Sequence, residues 1–277
     1  LNASLTDTDG SETLSSVMIA GMPTGATLSH GTRNADGTWS VTQGELASLS
    51  LTPPRDFAGT IQLELRATSI EREGGSATGV SQFSLTVTPV ADAAVITGAG
   101  QGNEDNWIAL RGSFATTDQD GSESFGPDIL IRDVPAGAML SHGTQTAPAT
   151  WTVPRDLFET GQLAIRPPAN SDADFSLRIT ATTQDGQSRA ETTASIAVTV
   201  RGVADAPTIT VANSTGAEDS AIRLTGLGAA LTDTDGSETL SFVLSGVPSG
   251  ATLNRGSRNS DGSWNLTPAQ LSDVSLT

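Results

Sequence analysis

The sequence predicts an all-β fold, a series of immunoglobulin-like Greek-key β-sandwiches arranged end to end. Apolar and polar residues alternate with a period of two in short segments such as 61–67 and 175–181, which is the pattern of strands that bury one face. The chain has 29 glycines and 13 prolines, as expected where many turns join short strands. No segment carries an apolar stripe of period 3.6 over the length of a helix.

Internal repetition supports the same fold class. The acidic motif Thr-Asp-x-Asp-Gly-Ser-Glu occurs three times, and three of the four Trp residues follow the copies in one register. The motif begins at Thr6, Thr117 and Thr232, and the Trp residues are Trp39, Trp151 and Trp264. The spacing of about 110 residues is close to the length of one immunoglobulin-like sandwich.

Domain boundaries are expected at the two Val-Ala-Asp-Ala elements, 90–93 and 203–206. They divide the chain into a first repeat, 1–90, which lacks its opening strand, and a complete second repeat, 91–203. The third repeat, 204–277, ends before its last strands. Because each linker is only a few residues long, neighbouring repeats should have little room to move.

Composition narrows the classes of partner. With 31 acidic and 14 basic residues the net charge is −17, which repels phosphate backbones and anionic lipid, so neither nucleic acid nor a membrane surface is expected to bind. The absence of cysteine excludes disulfides, thiolate metal sites and cysteine nucleophiles. No apolar run approaches the length of a membrane span, and no signal peptide opens the sequence, whose two ends are expected to be cuts through a longer polypeptide.

The acidic residues are concentrated where a hard cation could bind. Carboxylates this close together repel one another unless a cation lies between them, and calcium takes six to eight oxygen ligands. The spacing is not that of an EF-hand, and the scarcity of His and Cys disfavours softer metals. The predicted calcium ligands are Asp7, Asp9, Glu12, Asp92, Glu104, Asp105, Asp118, Asp120, Glu123, Asp205, Glu218, Asp219, Asp233, Asp235 and Glu238.

Each inter-repeat site is expected to combine three parts: the linker Asp, the upstream Glu that opens the same repeat, and that repeat's Asp-x-Asp-Gly-Ser-Glu loop. For the second repeat these parts are Asp92, Glu104 and the loop 118–123. The grouping assumes that the linker and the upstream Glu lie at the same pole of the sandwich.

Comparison of the copies separates structural residues from ligands. Asp36 and Asp261 precede Gly and a Trp, but the second repeat has Pro148 at that place, so a hairpin turn beside a core Trp is expected. His30 and His142 are replaced in the third repeat by Arg255, which disfavours catalysis or zinc binding.

Three further acids, Asp56, Asp172 and Asp174, follow the Pro-Pro pairs of the first two repeats. They could join a minor cation site or solvate a loop, and solvation is the favoured interpretation.

The motifs together resemble the cadherin-like extender repeats of giant bacterial adhesins of the type I-secreted, RTX kind. The resemblance covers essentially the whole chain and rests on the acidic loop with Gly-Val-Pro-Ser-Gly-Ala-Thr-Leu (246–253), Asp-Gly-Ser-Trp (261–264) and Val-Ala-Asp-Ala-Pro (203–207). It implies stacked sandwiches outside a Gram-negative cell, held at the outer membrane. It also implies calcium at the junctions, with Asp92 and Asp205 as linker ligands and Glu104 and Glu218 as first-strand ligands.

The expected function is that of a non-catalytic, calcium-rigidified spacer that projects a distal binding region for cell attachment or biofilm formation. Its partners would be calcium ions and neighbouring repeats of the same chain, and a host or matrix ligand would bind elsewhere. No catalytic constellation recurs in the repeats. Two alternatives stay open: a module that binds a glycan or protein, and an accessory segment of a secreted enzyme.

Overall fold

The computed structural model describes residues 1–7, 9–118, 120–233 and 235–277, and the chain in these ranges is built almost wholly of β-strands. The prediction of an all-β fold of tandem sandwiches is confirmed. Every strand pairing joins strands of the same predicted repeat. The α-helix found in the described ranges, α1 (Arg155–Thr160), is short, and no helix there is long and apolar enough to pass through a bilayer.

The described chain separates into two compact units. One consists of Leu1–Val95, Phe114–Gly126 and Ala181–Thr192, and the other of Ile96–Ser113, Pro127–Thr180 and Thr193–Thr277. Each unit contains one of the two linkers together with the acidic loop that follows it. The repeat boundaries at 90 and 203 stay a prediction. No strand pairing among the described residues crosses either boundary.

The first repeat forms a five-stranded sheet of order β3-β4-β1-β6-β7, with β2 and β5 paired beside it. Alternate residues of β1 and β6, among them Ile19 and Ile61, are buried in a common core with Trp39. A 3₁₀ turn, Gln43–Glu45, follows β4. The strands are β1 (Glu12–Ala20), β2 (Thr27–Leu28), β3 (Thr32–Arg33), β4 (Trp39–Val41), β5 (Leu51–Thr52), β6 (Gly59–Glu71) and β7 (Ser76–Val87).

In the second repeat the first long strand lies beside the last, since β8 and β17 pair in parallel with Ala99 opposite Ala197. The sheet order is β12-β15-β9-β8-β17-β16-β11-β14-β13, and β10 also pairs with β16. The strands are β8 (Val95–Asn103), β9 (Ile108–Ala115), β10 (Ser124–Phe125), β11 (Asp128–Arg132), β12 (Met139–Leu140), β13 (Thr144–Ala147), β14 (Thr150–Pro154), β15 (Ala164–Arg166), β16 (Phe175–Asp185) and β17 (Ser188–Arg201).

The third repeat has shorter strands around a smaller core of Leu253, Trp264, Leu266 and Val274. Its sheets are β18-β20, β19-β24 and β21-β23-β22, and a 3₁₀ segment, Pro268–Asp273, precedes the last strand. The strands are β18 (Thr208–Thr210), β19 (Ile222–Arg223), β20 (Gly228–Ala230), β21 (Phe242–Leu244), β22 (Ser257–Arg258), β23 (Trp264–Leu266) and β24 (Ser275–Leu276).

Candidate metal centre

Each acidic loop is folded by its own carboxylates. In the third repeat Asp233 Oδ1 accepts a hydrogen bond from the backbone N–H of Asp235, and Asp235 Oδ1 accepts one from Ser237, both at 2.8 Å. The first two repeats contain the same pair of bonds. Such bonds from an Asp to the amide two residues on are local, and Gly236, with φ of 98°, allows the following bend. The described residues of the motif therefore make the same local bonds in all three copies.

The loop Glu is bonded to the linker that precedes its repeat. Glu238 Oε1 accepts the backbone N–H of Asp205 at 2.6 Å, and Glu123 Oε1 accepts the N–H of Asp92 in the same way. In each case the other oxygen, Oε2, is buried and finds no hydrogen-bond partner among the described residues. A buried carboxylate oxygen without a partner is costly, so each position is suited to a cation.

Glu104, at the end of β8, lies with the acidic loop of the third repeat. One carboxylate oxygen from each of Glu104, Asp233 and Asp235 lies within 4.8 Å of the others, and within the described residues this is the one such trio. Glu104 is 1% exposed and Asp233 is 2% exposed. Glu104 Oε1 accepts the N–H of Val203 at 2.7 Å, whereas its Oε2 is buried and has no partner in the described part of the chain.

The electrostatics of this trio favour a cation. Burial raises the pKa of Glu104, and the charges of Asp233 and Asp235 raise it further. Hydrogen bonds from Ser237 and from the backbone of Asp172 lower the pKa of Asp235 to about 2, although burial acts in the opposite direction. A site with one buried acid and a neighbour that stays ionised holds negative charge that a divalent ion would neutralise.

The expected grouping of Glu104 with Asp92 and the loop 118–123 is wrong. Glu104 instead lies against the second linker and the loop of the following repeat. The reason is the parallel pairing of β8 with β17, in which Asn103 lies opposite Arg201, so that Glu104, the residue after β8, lies beside the second linker.

The loop 170–174 adds groups that the sequence interpretation assigned to solvation. The N–H of Asp172 donates to Asp235 Oδ2 at 3.2 Å, and the N–H of Asn170 donates to Asp105 Oδ1 at 3.0 Å. Burial raises the pKa of the half-buried Asp172, and the charge of Asp235 adds to this. Asp174 Oδ1 accepts the N–H of Val200 at 2.8 Å. Asp172 is therefore half-buried against the acidic loop, contrary to the favoured interpretation, whereas Asp174 is exposed, as that interpretation expects.

The first linker has its own acidic surroundings. Asp92 and Asp118 line one cavity with Asp56 and Asp185, and the last of these is 4% exposed. Thr183 Oγ1 donates to the carbonyl of Asp92 at 2.6 Å. The sequence interpretation missed Asp185, which stands before Gly186 in the β16–β17 turn. The sequence alone does not single out Asp185 as a candidate ligand, because Asp-Gly turns are common.

The remaining predicted ligands are not brought into an acidic trio within the described residues. Asp7 and Asp9 are exposed and Glu12 is half-buried, and the upstream pair of the third repeat, Glu218 and Asp219, is exposed. Asp105 and Asp219 share a positive φ, 55° and 59°, so the Glu-Asp pair makes the same turn in both repeats.

The two aspartates interpreted as turn residues behave as predicted. Asp36 Oδ1 accepts the N–H of Thr38 at 3.0 Å, and Asp261 Oδ1 accepts that of Ser263 at 2.9 Å, each in a turn beside a buried Trp. The two histidines are exposed, and the Nδ1 of each is bonded to the preceding Ser at 2.9 Å.

The donor set fits calcium. Glu104, Asp233 and Asp235 would provide carboxylate oxygens, and the unpaired Oε2 atoms of Glu104 and Glu238 are available for a bond that no described group makes. Oxygen-only sites of this kind suit hard cations and offer none of the nitrogen or sulfur ligands that zinc prefers.

Comparisons with known proteins address the fold. No protein-family model matches the chain, and no curated protein matches it. Among solved structures it is similar to protocadherin PcdhgB3 EC1-4, with 13% identity and a TM-score of 0.40, covering 93% of this chain and 58% of that one. It is also similar to the extracellular cadherin domains 1–4 of protocadherin gamma B7, with 15% identity and a TM-score of 0.41, covering 95% and 64%.

Cadherin extracellular domains are thus among its structural neighbours. A third, Drosophila N-cadherin EC1-4, has 13% identity and a TM-score of 0.30 over 91% of this chain and 57% of that one. The chain spans less than two thirds of the length of each of these three structures.

Proposed function

We propose that this chain is a run of non-catalytic extracellular spacer repeats in a bacterial surface adhesin, and that calcium at the linkers stiffens it. The observation that carries the proposal is Glu104, a buried carboxylate whose Oε2 has no partner in the described chain, beside Asp233 and Asp235. A buried acid of this kind must bind a proton or a cation. A cation held by all three side chains would join the end of β8 to the loop of the next repeat.

The linker itself is part of the same arrangement. Val203 donates to Glu104 and Asp205 donates to Glu238, so both backbone amides are bonded to carboxylates that would bind the ion. An ion that fixes these carboxylates would also fix the linker backbone. Stiffness of the linker is the property that a spacer needs.

Support for the extracellular and adhesin part comes from the motif resemblance over the whole chain. Extracellular calcium modules bind at roughly 10⁻⁴–10⁻³ M, a range suited to folding outside a low-calcium cytoplasm. Outer-membrane attachment, type I secretion and a distal binding region belong to this proposal. So does the absence of catalytic activity.

A melting experiment on the whole chain tests the proposal. At about 10 mM calcium, an affinity in this range stabilises the folded form by about 1.4–2.7 kcal/mol per site. The Tm should therefore rise by several degrees relative to EDTA, and small-angle scattering should change from a flexible to a stiff chain. Identical melting and scattering in calcium and in EDTA would reject the proposal.

A further inference from the structure

The second repeat has a row of three exposed side chains on the outer face of β12, β15 and β9. Met139 of β12 lies opposite Arg166 of β15. Strand β15 pairs with β9, and one residue beyond the paired strand the same register places Arg166 opposite Trp107. Because Ile108 and Ile165 are buried in the core, their neighbours in this row face outward. Trp107 is 51% exposed and Met139 is 56% exposed, and Arg166 is exposed between them.

The other repeats fill the same row with small side chains. In the first repeat Thr27 lies opposite Thr52. In the third, Thr252 and Thr277 exchange two backbone hydrogen bonds, and the register of β19 with β24 places Ala221 opposite Thr277. The sandwich therefore forms without a Trp, an Arg or a Met at these positions. The three large side chains of the second repeat come from distant segments and meet at one place, which indicates that they act together.

Trp107 differs from the other three Trp residues of the chain. Trp39 and Trp264 are buried in the cores of their repeats, and Trp151, at the same place in the second repeat, is half-buried. Trp107 stands outside this register and leaves half of its surface in solvent. An aromatic side chain that is exposed where the fold accepts alanine leaves apolar surface in water, so contact with a ligand is the role that it suits.

The size of the row favours a small ligand unit over a protein partner. Two inter-strand spacings of about 4.8 Å make the row about 10 Å long. Complete burial of a Trp removes only about 150–250 Å² from solvent. One row therefore falls well short of the roughly 800 Å² per partner that a stable protein interface buries. A patch of this length suits a short stretch of a glycan chain.

The chemistry of the row also suits a glycan. One face of a pyranose ring carries C–H groups that can stack on an aromatic face, and the hydroxyls of the ring accept hydrogen bonds. Arg166 has several N–H donors, and its side chain makes no hydrogen bond or ion pair within the described residues. The net charge of −17 repels anionic polymers at long range, so a neutral glycan is favoured.

We infer that Trp107, Arg166 and Met139 form a binding site for a neutral glycan on the side of the second repeat. A sugar ring stacks on the indole of Trp107, its hydroxyls accept hydrogen bonds from Arg166, and Met139 contacts the adjoining part of the glycan. The site lies within one repeat and contains none of the acidic residues of the linkers. It therefore adds ligand binding to the proposed spacer function without depending on calcium.

Affinity electrophoresis of the whole chain tests the inference in native gels that contain calcium and a neutral glucan, mannan or galactan. At least one of these polysaccharides should retard the unmodified chain. Trp107→Ala, which introduces the residue of the third repeat, should raise the polysaccharide concentration for half-maximal retardation about tenfold. Trp107→Phe keeps an aromatic face and should raise it less. Arg166→Thr and Met139→Thr, which copy the first repeat, should each raise it as well.

Val95→Ala is the matched control. Val95 is also 51% exposed in the second repeat but lies outside the row, so this variant should be retarded like the unmodified chain. Trp fluorescence gives a second readout. An oligosaccharide of the retarding polysaccharide should shift the emission of the unmodified chain to shorter wavelength and leave that of Trp107→Ala unchanged, provided that both chains show the same circular dichroism.

Several outcomes would overturn the inference. They are retardation by none of the three polysaccharides, equal retardation of the unmodified chain and Trp107→Ala, and a loss in Val95→Ala as large as that in Trp107→Ala. Binding confined to anionic glycans and indifferent to Trp107→Ala would be electrostatic and would also reject the site. If the row instead joins two copies of the chain, sedimentation should show a dimer that Trp107→Ala abolishes, which again rejects a glycan site. The calcium response tests the proposed function separately from all of these.

Discussion

Glu104 Oε1 accepts a hydrogen bond from the backbone N–H of Val203 at 2.7 Å, across 99 residues of sequence. The bond joins the end of the first strand of a repeat to the linker that leaves it. Because the parallel pairing of β8 with β17 places Arg201 opposite Asn103, the linker emerges beside Glu104. The sandwich thus brings a buried acid to the place where the next repeat begins.

Glu104→Gln should remove much of the calcium response. The amide keeps the size of the side chain but withdraws the negative charge, so the rise in Tm on adding calcium should fall by roughly half, because the other linker still responds. In EDTA the variant should melt at the same temperature as the unmodified chain or higher, since a buried charge is gone. Differential scanning calorimetry with and without calcium measures both effects.

Glu218→Gln is the matched control. Glu218 holds the same place in the third repeat but is exposed, and it belongs to no acidic trio in the described residues. Its calcium response should equal that of the unmodified chain. An equal loss in both variants would indicate a general effect of charge, contrary to the proposed site.

Gly143→Ala should destabilise the second repeat severely. Gly143 has a φ of 100°, and an added Cβ would lie 2.6 Å from the carbonyl oxygen of Thr152 and 2.7 Å from Val153. Strain in the backbone adds to this clash, so we expect a loss of more than about 3 kcal/mol. The equivalent glycines of the other repeats, Gly31 and Gly256, make the same close approach. Urea unfolding followed by Trp fluorescence measures the change.

Gly37→Ala provides the comparison. Gly37 has a similar φ of 88°, but an added Cβ would meet no described atom within 4 Å. Only the backbone strain applies, and the loss should be about 1 kcal/mol. Equal losses in the two variants would show that the close approach to Thr152 has no effect on stability.

Asp36→Ala should weaken the first repeat in a manner that depends on pH. Hydrogen bonds from Thr38 lower the pKa of Asp36 from the ordinary 3.8. A lowered pKa in the folded state means that the stabilisation is present above pH 3.8 and disappears as the pH falls through the lower, folded value. The variant should therefore have a lower Tm than the unmodified chain at neutral pH, and the difference should vanish in strong acid. A difference in Tm that is constant with pH would contradict this account.

The sequence predicts the strands, turns and acidic loops of this chain because their causes are local. The alternation of Ile61 and Leu63 with polar neighbours predicts β6 from the requirement that one face enter the core. The turn at Asp36 and the acidic loops form through bonds between residues two positions apart, which the motif specifies wherever it occurs. The concentration of acids near the linkers is visible in the sequence itself.

Which acids meet could not be read from the motifs, because it depends on strand length and on pairing between distant residues. Glu104 was assigned to the wrong linker, since only the full extent of β8 and its parallel pairing with β17 place it beside Val203. Asp172 lies in a loop of ordinary composition and Asp185 ends β16 before a common Asp-Gly turn, and the fold alone brings them to the acidic motifs. Short-range chemistry thus specified the strands, turns and loops, whereas the packing of strands some hundred residues apart selected the partners of each carboxylate.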